Sequence, residues 1–199
     1  MSRKILNACV LVAASLLAYP GSATAATYGQ DGSGHPVTQL GTRETRAIVL
    51  VFLASDCPIS NRYLPELKRL DGEFAHQNVA FWLIYPNYGE TAKAVREHLA
   101  EFGISTRVLL KPSPDLMALI PATITPEAAI LTTTVGHDGN QTLAKAYLGR
   151  IDNRYVEIGR ERPAATEHDL EQAIRAVLSQ KSAKKADGPP VGCGIVSRP

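Results

Sequence analysis

The strongest constraint in this chain is an unbroken apolar run, Ala47-Ile-Val-Leu-Val-Phe-Leu53. A β-branched stretch with no polar alternation suits a strand buried on both faces, as at the middle of an α/β sheet. The run turns polar at Ser55-Asp56, reaches Cys57-Pro58, and then changes period. From Asp56 to Phe74 the residues Ile59, Tyr63, Leu67, Leu70 and Phe74 fall on one helical stripe. Arg62, Glu66, Lys68, Arg69 and Glu73 lie mostly off it. Pro65 interrupts this helix and predicts a kink near its middle.

The same alternation of elements continues. Val79 to Tyr85, with Trp82, reads as a second buried strand and Trp82 as core. Glu90 to Phe102 reads as a helix ended by Gly103, and Thr106 to Leu110 as a short strand. Asp115 to Leu119 has room for a turn or two of helix. Ala128 to Thr134 and Leu143 to Leu148 read as strands joined by His137-Asp138-Gly139-Asn140, a hairpin-turn sequence. A closing helix is expected from Thr166 to about Gln180, capped by Thr166 with Asp169 three residues on. The expectation is a mixed α/β sheet covered by helices on both faces.

Both ends differ from the middle. Arg3 and Lys4, an apolar stretch from Ile5 to Ala18, Pro20-Gly21 and Ala23-Thr24-Ala25 have the order of a secretory signal, with residues 1–25 removed after Ala25. The apolar stretch is short for a membrane span. Residues 26–35 form a flexible lead-in, 36–180 the folded domain, and 181–199 an exposed tail with Gly188-Pro189-Pro190 and Cys193. Loss of Arg3 and Lys4 brings the 21 basic residues level with the 19 acidic ones. A near-neutral chain has no basic surplus for nucleic acid, and once the signal is removed nothing holds it to a membrane. Cys9 leaves with the signal, so Cys57 and Cys193 remain in a compartment that permits disulfides.

Cys57 is where chemistry is expected. The free amides of a helix's first turn and the helix dipole both favour a thiolate, the form that attacks disulfides. Pro58 suits the first helical position, Arg62 adds positive charge one turn on, and Asp56 opposes both. The polar flank, Ser55-Asp56 and Ser60-Asn61, points to an exposed sulfur rather than an inert core cysteine. His35, His76, His98, His137 and His168 read as ordinary solvated or capping histidines. Glu90, Glu97, Glu101 and Arg160-Glu-Arg162 read as solvated faces.

The segment Val51-Phe-Leu-Ala-Ser-Asp-Cys57-Pro-Ile-Ser-Asn-Arg-Tyr-Leu-Pro65-Glu-Leu resembles the active-site segment of the thioredoxin-like and redoxin (AhpC-TSA-related) superfamily. Thr125-Pro126 resembles that family's cis-proline loop, which lies against the reactive cysteine. Gly149-Arg150-Ile151-Asp152 and Gly192-Cys193-Gly-Ile195 resemble an exported branch with a single active-site cysteine. The resemblance implies a thioredoxin-like fold over about 36–180 and thiol–disulfide exchange with a protein partner, without a cofactor or metal. It also implies a substrate groove made by Pro58, Ser60, Arg62, Thr125 and Pro126.

The chain departs from the dithiol pattern at Ser60, which stands where a second cysteine is expected. Cys193 is the candidate resolver. About a dozen residues of flexible tether span roughly 20 Å. A permanent Cys57–Cys193 disulfide, or a Cys193 that is unpaired or bonded to another chain, remains open at this stage. Two other activities are weighed. A peroxidase of the peroxiredoxin kind needs a threonine where Ala54 stands, with Arg150 as a conceivable arginine. A copper-binding module has the spacing from Cys57 to Asn61 and a conceivable ligand in His137, but lacks a second nearby sulfur.

Overall fold

The computed structural model describes residues 27–135 and 141–196. The signal segment and the turn at 137–140 lie outside the described residues. Two short strands, β1 (Gly29–Gln30) and β2 (Pro36–Val37), lead into β3 (Ala47–Phe52), and the active-site helix α1 follows (Pro58–Phe74). Next come β4 (Val79–Tyr85), α2 (Ala92–Glu101), β5 (Arg107–Leu110) and α3 (Pro114–Leu119). After β6 (Ile124–Thr125), the strands β7 (Glu127–Val135) and β8 (Gln141–Gly149) pair with each other. A small ribbon of β9 (Tyr155–Glu157) and β10 (Arg160–Glu161) precedes α4 (Asp169–Leu178), and β11 (Cys193–Gly194) ends the described chain.

Seven strands form the main sheet in the order β2-β1-β5-β4-β3-β7-β8. β4 runs parallel to β3 and β5, whereas β7 is antiparallel to both β3 and β8. The uninterrupted apolar run is explained by its central place. Ala47, Val49 and Val51 enter one core layer, and Ile48, Leu50 and Phe52 enter the other. β4 divides in the same way, with Phe81 and Leu83 on one side and Trp82 and Ile84 on the other. The first layer is closed by α1, α2 and α4, through Leu64, Leu67, Val95 and Leu170 among others. The second is closed by α3 and the loop before β3, through Leu116, Ile120 and Leu40. Trp82 is core, and its indole N–H donates to the Leu40 carbonyl at 2.7 Å.

Helix α1 is one element with Pro65 inside it. Two expectations need correction. Thr166 does not cap α4, which begins at Asp169 with His168 at the cap position and no side-chain cap bond. The Thr166 hydroxyl instead accepts from Asn153 Nδ2 at 2.8 Å, and its amide donates to Asn153 Oδ1 at 2.8 Å. A buried asparagine thus takes the groups that were expected to start the helix. The segment after α4 is also not simply an exposed tail. Residues 181–190 are mostly exposed, but Ala183, Val191 and Cys193 pack on the first core layer and Ile195 on the second. These four small or apolar side chains give an otherwise polar strap something to bury.

Among the described residues no helix is long and apolar enough to cross a membrane. Leu64 is fully buried between α1 and the sheet. Leu64→Ala should lower unfolding free energy by about 2–5 kcal/mol, read from urea melts with an unchanged slope. A loss below about 1 kcal/mol contradicts that packing.

Candidate functional site

β3 delivers the chain to the site and α1 receives it. The Leu53 amide still donates to the Ile84 carbonyl at 2.8 Å, so the strand's order extends almost to the cysteine. Cys57 is the N-cap residue of α1, in an extended conformation with φ −87° and ψ 111°, and Pro58 occupies the first turn. No carboxylate lies in that first turn to oppose an anion. Sulfur therefore sits where the helix's free amides collect.

Cys57 is buried, with 0% of its surface exposed, which corrects the expectation of an open sulfur. The cover is the strap. β11 pairs antiparallel with β6, placing Cys193 opposite Thr125 and Gly194 opposite Ile124. Cys193 Sγ lies 2.6 Å from Cys57 Sγ with no disulfide joining them, close enough for the two sulfurs to bond. Cys57 Sγ is also 3.3 Å from the Thr125 carbonyl, the acceptor for its proton when it carries one. The Thr125–Pro126 peptide bond is cis. The strap approaches this closely because residue 192 is glycine. A Cβ there would lie 2.0 Å from the Thr125 oxygen.

The two sulfurs differ in acidity. Burial works to raise the Cys57 thiol. Hydrogen bonds from the Cys193 thiol, the Ser60 amide, the Ser60 hydroxyl and the Cys193 amide outweigh it and hold Cys57 below the ordinary thiol value. Cys193 is pushed up to about 11, first by burial, then by its bond to Cys57, the negative charge of Cys57 and Asp56. Cys57 is thus the more acidic sulfur of the pair and the one suited to act as the nucleophile. Ser60 supplies two of the bonds that create this asymmetry. It is fully buried, and its hydroxyl oxygen also accepts the Ala54 amide at 3.4 Å.

The loop carrying Cys57 is clamped at one residue. The Ser55 amide donates to Glu90 Oε1 at 3.0 Å, and Asn61 Nδ2 donates to the Ser55 carbonyl at 3.3 Å. Asn61 Oδ1 is 2.8 Å from His98 Nε2, whose other ring nitrogen is 3.2 Å from the Tyr85 hydroxyl. With the amide oxygen as acceptor, Nε2 carries the hydrogen and Nδ1 accepts from Tyr85. Burial lowers the His98 pKa, in keeping with a neutral ring. Both His98 and Glu90 correct the reading of solvated side chains. Burial raises the Glu90 carboxyl, and its Oε2 has no partner among the described residues.

The structure brings Cys57, Ser60, Thr125, Pro126 and Cys193 together. Pro58 is exposed beside them. Arg62 pairs with Glu161 at 3.8 Å. Arg150 is ion-paired with Glu167 and with Asp169, the latter at 2.7 Å. Among the described residues the one three-ligand grouping is Glu66, His168 and Glu171, and it contains neither cysteine. Glu66 and Glu171 both bind Arg69, whose charge opposes a cation there. His137 lies outside the described residues.

Comparison with known structures settles the architecture. A hypothetical protein from Sinorhizobium meliloti 1021 superposes with a TM-score of 0.68 at 22% identity, over 87% of this chain and 92% of that one. An uncharacterized conserved protein from Geobacillus kaustophilus gives 0.69 at 20%, over 88% and 90%. A candidate thioredoxin from Neisseria meningitidis gives 0.50 at 14%, over 77% and 88%. The fold is thioredoxin-like. No protein-family model and no curated relative matches the chain. In this thioredoxin-like domain the second sulfur comes from a strap beyond the last helix, 136 residues after the first.

Ionisation gives a direct test. In the reduced protein, ultraviolet thiolate absorbance should rise in two steps, Cys57 below the ordinary thiol value and Cys193 near 11. Ser60→Ala removes one donor to the Cys57 anion and leaves its burial in place. The first step should move to higher pH, with less thiolate at neutral pH, while the second stays. An unmoved first step contradicts the role given to Ser60.

Proposed function

We propose that this chain is an exported thiol–disulfide oxidoreductase in which Cys57 attacks and Cys193 resolves. The observation that carries this reading is the 2.6 Å approach of a thiol to a more acidic thiol at a helix N-terminus, beside Thr125 and Pro126. The apolar stretch with its small-residue cleavage pattern supports export. An oxidising compartment supplies disulfides as substrates.

The steps follow from the asymmetry of the pair. The Cys57 thiolate attacks one sulfur of a partner disulfide, and the partner's other sulfur leaves as a thiolate. Cys193 then gives up its proton to the departing sulfur and attacks Cys57 in the mixed disulfide. The partner leaves with both sulfurs reduced, and the protein holds a Cys57–Cys193 disulfide. The same steps in reverse oxidise a partner dithiol. Ser60 stabilises the Cys57 anion whenever it is the leaving group. The Ser55 clamp keeps the sulfur aimed at its substrate. Peroxide reduction draws less support, because Ala54 offers no hydroxyl and the Arg150 guanidinium is held by two carboxylates.

Turnover of a fluorescent disulfide reporter with a dithiol donor tests this reading. Wild type should turn over, and Cys57→Ser should fall to the uncatalysed rate. Cys193→Ser should accumulate a mixed disulfide on Cys57, visible by mass, and turn over slowly. Full activity in Cys57→Ser overturns the proposal.

A further inference from the structure

The strap is bound to the domain as a short extended peptide would be. Its main chain makes a short ladder. Cys193 and Gly194 pair with Thr125 and Ile124, and the Ile195 amide donates to the Thr123 carbonyl at 2.9 Å. Beyond them the Val196 amide donates to Asn87 Oδ1 at 2.9 Å, and the Tyr88 amide donates to the Val196 carbonyl at 3.0 Å. Thr125 Oγ1 donates to the Cys193 carbonyl at 3.3 Å. These bonds are made by backbone groups of the strap and accept any extended sequence.

Two positions are not indifferent to sequence. At residue 192 a Cβ would meet the Thr125 oxygen at 2.0 Å, its carbon at 2.7 Å and Pro126 Cδ at 3.0 Å. Two of those atoms are backbone, so a side chain there forces the strand away. At residue 195 the isoleucine packs on the second core layer and walls a cavity of about 1030 Å³. Pro86, Tyr88, Pro112 and Met117 line the same cavity. An apolar side chain at this place gains burial and has room beyond it, whereas a charge would lose water. The strap's tether, 181–190, is mostly exposed and packs on the first core layer through Ala183.

We propose that the groove beside Thr125 and Pro126 is selective for sequence: it takes an extended, disulfide-bonded partner segment with glycine immediately before the reactive cysteine and an apolar residue two positions after it. Gly192-Cys193-Gly194-Ile195 is the chain's own copy of that sequence, and substrate and strap compete for one place. The proposal rests on reading Cys57 as the exchange nucleophile. A partner strand that displaces the strap lays its cysteine where Cys193 Sγ lies, 2.6 Å from Cys57 Sγ. The Cys57 thiolate forms a bond to that sulfur, and the sulfur previously bonded to it departs with the electron pair. As the partner strand peels away the strap returns, Cys193 bonds to Cys57, and the partner's cysteine leaves as a thiolate.

The test uses the full chain carrying Cys193→Ser, so that the strap stays but cannot bond. Synthetic peptides copying residues 189–196 carry their cysteine as a mixed disulfide with thionitrobenzoate, whose release is followed by its colour. The copied sequence should react fastest. Valine in place of the glycine, or aspartate in place of the isoleucine, should slow release by about tenfold or more. Adding Gly192→Val to the protein should loosen the strap and speed reaction with the copied peptide. Equal rates for all three peptides, with the small disulfide of thionitrobenzoate reacting normally at Cys57, overturn the selectivity and leave the exchange reading standing. Failure of that small disulfide to react in either protein, with the strap bound or loosened, overturns both.

Discussion

The site depends on a two-residue antiparallel bridge between Cys193-Gly194 and Ile124-Thr125. Without it the domain has one cysteine and a serine where a second sulfur is expected. With it, two thiols of unlike acidity stand in contact at a helix N-terminus. The bridge exists because residue 192 has no side chain, which lets the strap press against the Thr125 carbonyl. A single glycine far along the chain therefore decides whether Cys57 has a partner.

Burial and reactivity are reconciled by the same contact. A sulfur removed from water ordinarily becomes a weaker acid. At Cys57 four hydrogen bonds reverse that tendency, two from Cys193 of the strap and two from Ser60. The cover that hides the sulfur thus also helps to ionise it. Rigidity comes from the other side, where Glu90, Asn61, His98 and Tyr85 fix the backbone at Ser55. These partners come from β4, α1, α2 and the loop before α2, so the geometry at the sulfur is held by the packing of the first core layer.

The sheet was legible because its strands are buried on both faces. A run such as Ala47 to Phe52 or Val79 to Tyr85 has no other easy home in a protein of this size. Cys57 was legible because a polar break, a cysteine and a proline lie between such a strand and a 3.6-residue period. The strap was not. Its contacts are Val191, Cys193 and Ile195 at alternate positions, diluted by glycine and proline, and composition alone reads such a stretch as linker. That alternation beside a cysteine was the available signal. Glu90 and His98 were misread for a related reason. Charge and helix position suggest water, but Glu90 meets the Ser55 amide and His98 lies between Asn61 of α1 and Tyr85 of β4. Thr166 had the form of a cap, but Asn153, distant in periodicity though near in space, claimed its hydroxyl and amide.

The most direct measurement is peptide mapping of the intact protein by non-reducing mass spectrometry, before and after incubation with a dithiol under native conditions. The structure predicts a linked pair of peptides containing Cys57 and Cys193 in the oxidised protein. That link should disappear on dithiol treatment while the circular dichroism spectrum stays that of the folded domain. Finding Cys193 joined only to other chains, or a Cys57–Cys193 link that opens only on unfolding, would contradict the account.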